Sequence, residues 1–318
     1  GWLADPPPDL REALARAGAP VDGLGTSRLV AETLLRAGTE RQQAEVVPRI
    51  HAGEIVVCLG YSEPDAGSDV AAATTRAARD GDEWVIDGAK MFTTLAQEAA
   101  YVFLLARTNP DVAKHRGLTM FLVPLDRPGI EIRPIETLGG ERTNATFYNG
   151  VRVGDAARVG AVDGGWGVMT VALAFERQPA AHYEAVRLLE RVVAWAEAAG
   201  MLDDPAVAER IGRVAMDNEV GRVLGEALAD AIDGGELGVV EGSMAKLFTS
   251  EALTRAAADL LDLFGAEAVL QHGEAGAPAE GGVEHAHRHA AVTTIYAGTS
   301  EIQRSIIAER ALGLPRSR

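Results

Sequence analysis

The chain has 318 residues, enough for a large core and about two or three domains, and its 47% hydrophobic and 24% charged content describes a globular protein. Its 46 acidic residues outnumber 30 basic ones, giving a formal charge of −16, so a nucleic-acid backbone would have to find a local basic patch against an unfavourable net field, and no nucleic-acid partner is expected. The single cysteine, Cys58, rules out an internal disulfide framework and a multi-cysteine metal site.

The start, GWLADPPPDL, carries neither a basic segment nor a long apolar one, and no run of about 18 uninterrupted apolar residues follows. The expectation is a cytoplasmic protein with no membrane contact. Up to Glu54 the pattern is helical: LREALARAG and SRLVAETLLRAG space leucine and alanine by three and four and end in glycine. From Ile55 the pattern changes to strands, IVVCLG, WVIDG, YVFLLART, LTMFLVPL and GIEIRPI, separated by turn signals such as DGDE and RPG. Cys58 lies in the first of these and reads as a buried strand residue. From Trp166 onward long helical patterns return. Ile211, Val214, Ala215, Val223, Ala227 and Leu228 mark one apolar face, and Met244, Leu247, Leu253, Leu260 and Phe264 mark the next. Pro179 is expected to kink or break the first of these helices after FERQ. QHGEAGAPAEGG, residues 271–282, reads as a mobile loop. The resulting division is a partial N-terminal helical domain (1–54), a middle β domain (55–160) and a C-terminal helical bundle (161–318), an α+β fold. That order, with no G-x-G-x-x-G between a strand and a helix, excludes a doubly wound nucleotide fold.

Four stretches carry chemistry. YSEPDAGSDV, residues 61–70, packs proline, glycine, two serines and three carboxylates into one loop after a strand. Free N–H groups and hydroxyls in such a loop bind carbonyl or phosphate oxygens, and a solvated turn explains the same letters. WVIDGAKMFTT, residues 84–94, offers the Phe92 ring as a stacking surface with Thr93 and Thr94 at its edge, or else a half-exposed strand. In IYAGTSEIQRS, residues 295–305, Gly298 frees the backbone and Thr299 or Ser300 caps the next helix, while Ala297 puts no ionisable group at the centre. HAHRH, residues 285–289, is dense in histidine, but no cysteine or carboxylate stands at metal-site spacing, so no metal is expected.

In order along the chain, SEPDAGSD, DGAKMFTT and IYAGTSEIQR resemble three separated signatures of the acyl-CoA dehydrogenase flavoprotein family. The resemblance spans essentially the whole chain, apart from the first part of the family's N-terminal helical domain. It implies a four-helix bundle at the C-terminus and FAD between the β domain and the bundle. It places Tyr61, Ser62, Gly67 and Ser68 against the flavin and the start of the acyl-CoA site, with Arg177 and Gly298 also on the substrate. It sets Phe92, Thr93 and Thr94 beside the isoalloxazine, and Tyr296, Thr299 and Glu301 on the bundle side of the cofactor.

The reaction so implied is α,β-dehydrogenation of an acyl-CoA thioester, with a carboxylate as base. In most of the family that base is a glutamate at the position of Ala297. In the isovaleryl-CoA and long-chain branches it comes from the first bundle helix, here Glu176 of LAFERQ, which otherwise reads as half of a surface pair with Arg177. Ala297 keeps its backbone N–H for the thioester oxygen. A vacant Ala297 leans toward a bulky, branched or long acyl chain.

Two departures bear on assembly. Where homo-oligomeric members carry Arg-x-x-Phe-Gly and Gln-x-x-Gly-Gly-x-Gly segments that complete a neighbour's FAD site, this chain reads AEAAGMLDD (196–204) and DLFGAEA (262–268). Asp203, Asp204 and Asp262 would repel a pyrophosphate. The resemblance therefore implies a catalytic subunit of an α2β2 hetero-oligomer with a homologous partner, similar to actinobacterial steroid side-chain acyl-CoA dehydrogenases, with a homotetramer or homodimer as the alternative. An electron-transfer flavoprotein or similar acceptor is the implied redox partner. A non-catalytic partner subunit and a flavin oxidase or monooxygenase are the rival functions.

Overall fold

The computed structural model describes residues 23–176, 180–235 and 238–316, without the side chains of 174–176 and 180. LREALARAG, Pro179 and Arg177 lie outside the described residues. The chain forms two compact units, one of residues 1–137 with 142–176 and one of 138–141 with 177–318, and its α+β character agrees with the sequence reading.

Among the described residues the first unit begins with three helices, α1 (Leu24–Ala37), α2 (Glu40–Glu45) and α3 (Val47–His51). A capping box starts α2: the Thr39 hydroxyl accepts from the Gln42 N–H, and the Gln42 side chain accepts from the Thr39 N–H. The same Gln42 amide donates to the carbonyls of Ala156 and Arg158, so one residue caps a helix and ties it to the end of the sheet.

Eight strands follow: β1 (Val57–Gly60), β2 (Arg76–Asp80), β3 (Glu83–Lys90), β4 (Tyr101–Arg107), β5 (Leu118–Pro124), β6 (Ile130–Glu136), β7 (Arg142–Gly154) and β8 (Arg158–Val159). Their order is β6-β7-β3-β2-β4-β5-β8, with β1 parallel to β4. Both faces of the central strands are covered, which is why β4 and β5 read as unbroken apolar runs. Successive side chains alternate between two cores. Phe103, Leu105, Met120 and Leu122 pack toward α1, α3 and α4 (Gly165–Glu176). Val102, Leu104, Phe121 and Val123 join Trp84, Ile86, Tyr148 and Cys58 on the other side. Burial pushes the Cys58 thiol up to about 12, so the lone cysteine is a packing residue without thiolate reactivity.

β7 is the longest strand, at 13 residues, and had no signal in the hydrophobic pattern. Its buried positions include Thr143, Asn144 and Thr146, polar residues that hydrogen-bond across the sheet, so no apolar alternation announces it.

The second unit holds α5 (Ala180–Ala198), α6 (Pro205–Asp233), α7 (Val239–Leu261), α8 (Gly282–Thr293) and α9 (Ser300–Arg310). Its core takes Ala181, Ala185, Leu188 and Val192 from α5, Leu253, Ala256, Ala257 and Leu260 from α7, and Val283 and Ala290 from α8. The 29-residue α6 departs from the face read in the sequence. It buries Val207, Val214, Gly221 and Leu228, one residue every two turns, and leaves Ala215, Val223 and Ala227 exposed. A narrow seam at sevenfold spacing is what a long helix presents when it packs along its length. Met216, Val220 and Val223 form a separate apolar stripe on the exposed side. The 271–282 loop is braced internally, the Gln271 N–H donating to Glu274 and His272 bonding the Glu280 carbonyl.

Two glycines of α6 test this packing. A Cβ on Gly221 would stand 2.8 Å from the His182 ring and 3.1 Å from a Thr249 methyl, whereas one on Gly212 would meet nothing within 4 Å. Helix propensity favours alanine over glycine by about 1 kcal/mol at both positions, and overpacking costs about 1–3 kcal/mol. Gly212→Ala should raise the unfolding midpoint and Gly221→Ala should lower it, as read by denaturant titration of each variant.

Candidate functional site

Each unit carries one built surface. On the first, the loop after β1 is organised by a buried ion pair. Glu63 is 6% exposed and Lys90, the last residue of β3, is fully buried. The Lys90 ammonium donates to Glu63 Oε1 at 2.8 Å and to the Tyr61 carbonyl at 3.0 Å. The carboxylate also accepts from the Thr74 N–H and hydroxyl and from the Thr75 N–H, at 2.7–2.8 Å. Burial raises the Glu63 carboxyl, but the Lys90 charge and these donors outweigh it and hold the group at about 2. Burial pulls the Lys90 ammonium below its usual range, opposed by the attraction of Glu63.

This pair joins two of the stretches singled out in the sequence, and the Met91 N–H adds a bond to the Ser62 carbonyl at 2.9 Å. With Glu63 turned inward, Gly67 and Ser68 are left exposed and Tyr61 and Ser62 half-buried. Tyr61 packs its ring against Phe103. The far end of the loop is held by Arg107, which donates to the carbonyls of Ala71 and Ala73.

Immediately after Lys90 the chain turns through Phe92, whose φ of 58° is left-handed and which is 63% exposed. A bulky residue in that conformation is strained and is kept only where its surroundings enforce it. Here the enforcing residue is Asn144 of β7: its carbonyl accepts from the Thr93 N–H, and its amide donates to the Thr93 carbonyl and to Gln97. Thr94 is exposed and shares a hydrogen bond with Thr143. Thr93 is fully buried, its hydroxyl facing Thr146, so this residue of the sequence-derived set belongs to the scaffold beneath the surface. Glu63, Lys90 and Asn144 were missed by the sequence reading; a charged pair shared by two flanking motifs was the available signal for the first two.

On the second unit, the segment between α8 and α9 makes a turn with two consecutive left-handed residues, Ala297 (φ 54°) and Gly298 (φ 87°). Thr299 caps α9 by accepting from the Ile302 N–H. Gln303 donates to the carbonyls of Ala297 and Gly298 at 2.9 and 3.2 Å, and the ammonium of Lys246, 6% exposed, donates to the Gly298 carbonyl at 2.7 Å. Tyr296 is 42% exposed, and Glu301 is exposed at the start of the helix. The Glu301 N–H, then the Thr299 hydroxyl, hold the Glu301 carboxyl below the usual range. Glu176 is the last residue of α4; its side chain and Arg177 lie outside the described residues.

The histidine-rich stretch lies on α8, where it engages carboxylates. His289 stands 2.5 Å from Glu141 and 3.6 Å from Glu184, and His285 is 3.4 Å from Glu141. Among the described residues no set of three or more His, Cys, Asp or Glu side chains has metal-holding geometry. Asp204 caps α6 by accepting from the N–H groups of Ala206 and Val207. Asp262 lies 3.6 Å from Arg210, so the repulsion expected from its charge is partly answered within the chain.

Comparison with known proteins is consistent across the chain. Residues 58–149 match the acyl-CoA dehydrogenase middle-domain family and residues 163–312 its C-terminal domain. The chain is 39% identical to the acyl-CoA dehydrogenase FadE26 of Mycobacterium tuberculosis, covering 95% of this chain and 79% of that one. The acyl-CoA dehydrogenase IpdE1 of the same organism is 36% identical over 96% and 79% of the two chains. Among solved structures, the Tcur3481-Tcur3483 steroid acyl-CoA dehydrogenase superposes with a TM-score of 0.91 at 38% identity, covering 97% of this chain and 80% of that one. The ChsE4-ChsE5 complex from Mycobacterium tuberculosis does so with 0.86 at 39%, covering 97% and 81%.

Two outcomes follow from the electrostatics. Removing one member of the Glu63–Lys90 pair leaves the other buried and unpaired, a loss of about 3–5 kcal/mol. Glu63→Gln and Lys90→Met should each lower stability steeply and the double variant should lose less than their sum; strict additivity in a denaturation cycle contradicts the coupling. The Glu184 hydrogen bond first, then the charges of Glu184 and Glu141, raise His289 against the opposing effect of its burial. A raised group contributes stability that is present below its unfolded value of about 6.5 and lost as pH rises through the higher folded value. His289→Gln should therefore lower the melting temperature more at pH 5.5 than at pH 8.5, two settings about one to two units either side of the imidazole range; an equal drop at both contradicts the assignment.

Proposed function

The chain belongs to the acyl-CoA dehydrogenase family, whose members are FAD-dependent flavoproteins, and from that premise we propose that it carries out α,β-dehydrogenation of an acyl-CoA thioester with Glu176 as base. The observation that carries this reading is the pair of built surfaces. One unit holds an exposed aromatic ring, Phe92, in a strained conformation beside the Thr94 hydroxyl and the open SEPDAGSD loop. The other holds the Tyr296–Thr299 turn, whose backbone N–H groups at 297, 298 and 299 have no acceptor among the described residues. A flat cofactor ring suits the exposed aromatic platform and hydroxyl of the first unit, so the residues present there fit FAD.

FAD, when bound, supplies the two-electron acceptor for the β-hydrogen, which departs with its bonding pair. The residues of the chain do the rest. Phe92, Thr94, Tyr296, Thr299 and Glu301 hold the cofactor, and Tyr61, Ser62, Gly67 and Ser68 bind at its edge and at the start of the thioester tail. Ser68, Arg177 and Gly298 orient the substrate. Glu176 takes the α-proton, and the electrons of that C–H bond become the second bond between the α and β carbons. While the proton leaves, negative charge grows on the thioester oxygen, and the Ala297 N–H donates to it. Alanine at 297 has no side-chain base, so the base comes from another element, which in this reading is Glu176 of α4. The room left there favours a bulky, branched or long acyl chain.

The chain works, in this reading, as the catalytic subunit of a hetero-oligomer with a homologous partner and passes electrons to an electron-transfer flavoprotein or similar acceptor. Two solved relatives are named as pairs of different chains. The exposed Met216, Val220 and Val223 stripe on α6 supports an interface, since contiguous exposed apolar surface marks contact sites.

Glu176→Gln should keep its flavin spectrum yet slow bleaching by an acyl-CoA about 10²–10⁴-fold, the range for losing a general base. Stopped-flow absorbance of the anaerobic protein reads this directly, and an unchanged rate removes Glu176 from the mechanism.

A further inference from the structure

Lys246 has no part in the reaction as described, yet its place is unusual. It sits in the interior of α7, 6% exposed, and its ammonium donates to a backbone carbonyl, that of Gly298, at 2.7 Å. Burying a lysine is costly, so a buried ammonium that donates to a carbonyl of a strained turn calls for a local explanation. The Gln303 amide, itself 1% exposed, converges on the same place and takes the carbonyls of both Ala297 and Gly298. Two adjacent carbonyls are thus drawn to one side of the turn.

A trans peptide is planar, and its N–H points opposite to its C=O. Pinning the Ala297 carbonyl inward therefore turns the Gly298 N–H outward, and pinning the Gly298 carbonyl inward turns the Thr299 N–H outward. Neither N–H has an acceptor among the described residues. The arrangement needs left-handed backbone at two successive positions, and alanine at the first of them is strained. Side-chain anchors are what hold such a conformation. A Cβ at Gly298 would come within 2.8 Å of the Gln303 amide nitrogen, so the second position takes glycine for contact as well as for φ.

We propose that Lys246 is a positioning residue: with Gln303 it fixes the peptide planes of the Ala297–Thr299 turn, so that the Gly298 and Thr299 N–H groups stand as preorganised donors for an anionic oxygen. The inference rests on the dehydrogenase reading, in which that oxygen is the thioester oxygen as its α-proton leaves, and it extends the donor set from the Ala297 N–H to its two successors. The ammonium lies behind those donors and polarises the Gly298–Thr299 peptide, which strengthens the outward N–H. Its charge also reaches Glu301.

The test uses Lys246→Met, which removes the donor and the charge, and Lys246→Gln, which keeps a neutral donor. Hydrogen exchange of the 294–303 segment is measured first, without flavin or substrate. The Met variant should exchange faster there than wild type, and the Gln variant should recover part of the protection. The flavin-loaded proteins are then compared with one saturating acyl-CoA. In the Met variant the bound thioester carbonyl stretch should move back toward its value in water, and flavin reduction should slow about 100-fold while KM changes by about threefold or less. Should the Met variant not fold, the Gln variant decides by the same two readings, with an expected loss of about tenfold. Wild-type exchange, or a wild-type carbonyl stretch and rate, in whichever variant folds overturns the proposal. A wild-type protein that binds flavin but reduces it with no thioester fails the dehydrogenase reading instead, and the exchange contrast still judges the anchoring of the turn.

Discussion

Glu63 and Lys90 lie 27 residues apart and meet where both are buried. Their pairing determines the shape of two stretches at once. The carboxylate also collects the donors of Thr74 and Thr75, so the loop after β1, the Thr74–Thr75 segment leading into β2 and the end of β3 share one set of hydrogen bonds. A buried pair of this kind adds little net stability over a well-packed apolar pair. Its use here is geometric: it turns one carboxylate of SEPDAGSD inward, exposes Gly67 and Ser68, and starts the strained Phe92 turn from a fixed point.

The second unit solves a similar problem by other means. The Ala297–Gly298 turn has no ion pair within it, and its conformation is held from behind by Lys246 and Gln303. Both devices set backbone direction with a buried polar side chain. In neither case is the anchoring side chain itself exposed to act as an acid or base. A turn built to present N–H groups, with alanine where an acid would stand, is compatible with catalysis only if the base arrives from another element. That is the reason Glu176 carries the central role in the proposed chemistry.

The stretches that mark the chemistry were legible because they depend on backbone freedom and capping, which glycine, proline, serine and threonine advertise. The central strands were legible too, since burial on both faces leaves an apolar run such as YVFLLA. β7 was not, because its buried Thr143, Asn144 and Thr146 are satisfied by partners far away in sequence. The same cause hid Lys90 and Lys246. A buried lysine looks like a surface lysine until its acceptor is known, and each acceptor is a carboxylate or carbonyl of another element. On α6 the sequence offered a broad apolar face, and packing selected a narrow seam at Val207, Val214, Gly221 and Leu228. Periodicity identifies the helix; it does not say which of two apolar stripes faces inward.

The most direct measurement is anaerobic titration of the flavin-loaded wild-type protein with acyl-CoA thioesters of graded bulk, following the visible flavin absorbance and the thioester product together. The account predicts bleaching with one α,β-unsaturated thioester formed per flavin reduced, strongest for bulky or branched chains. Flavin that remains fully oxidised with every thioester, in protein whose cofactor is bound, would contradict it.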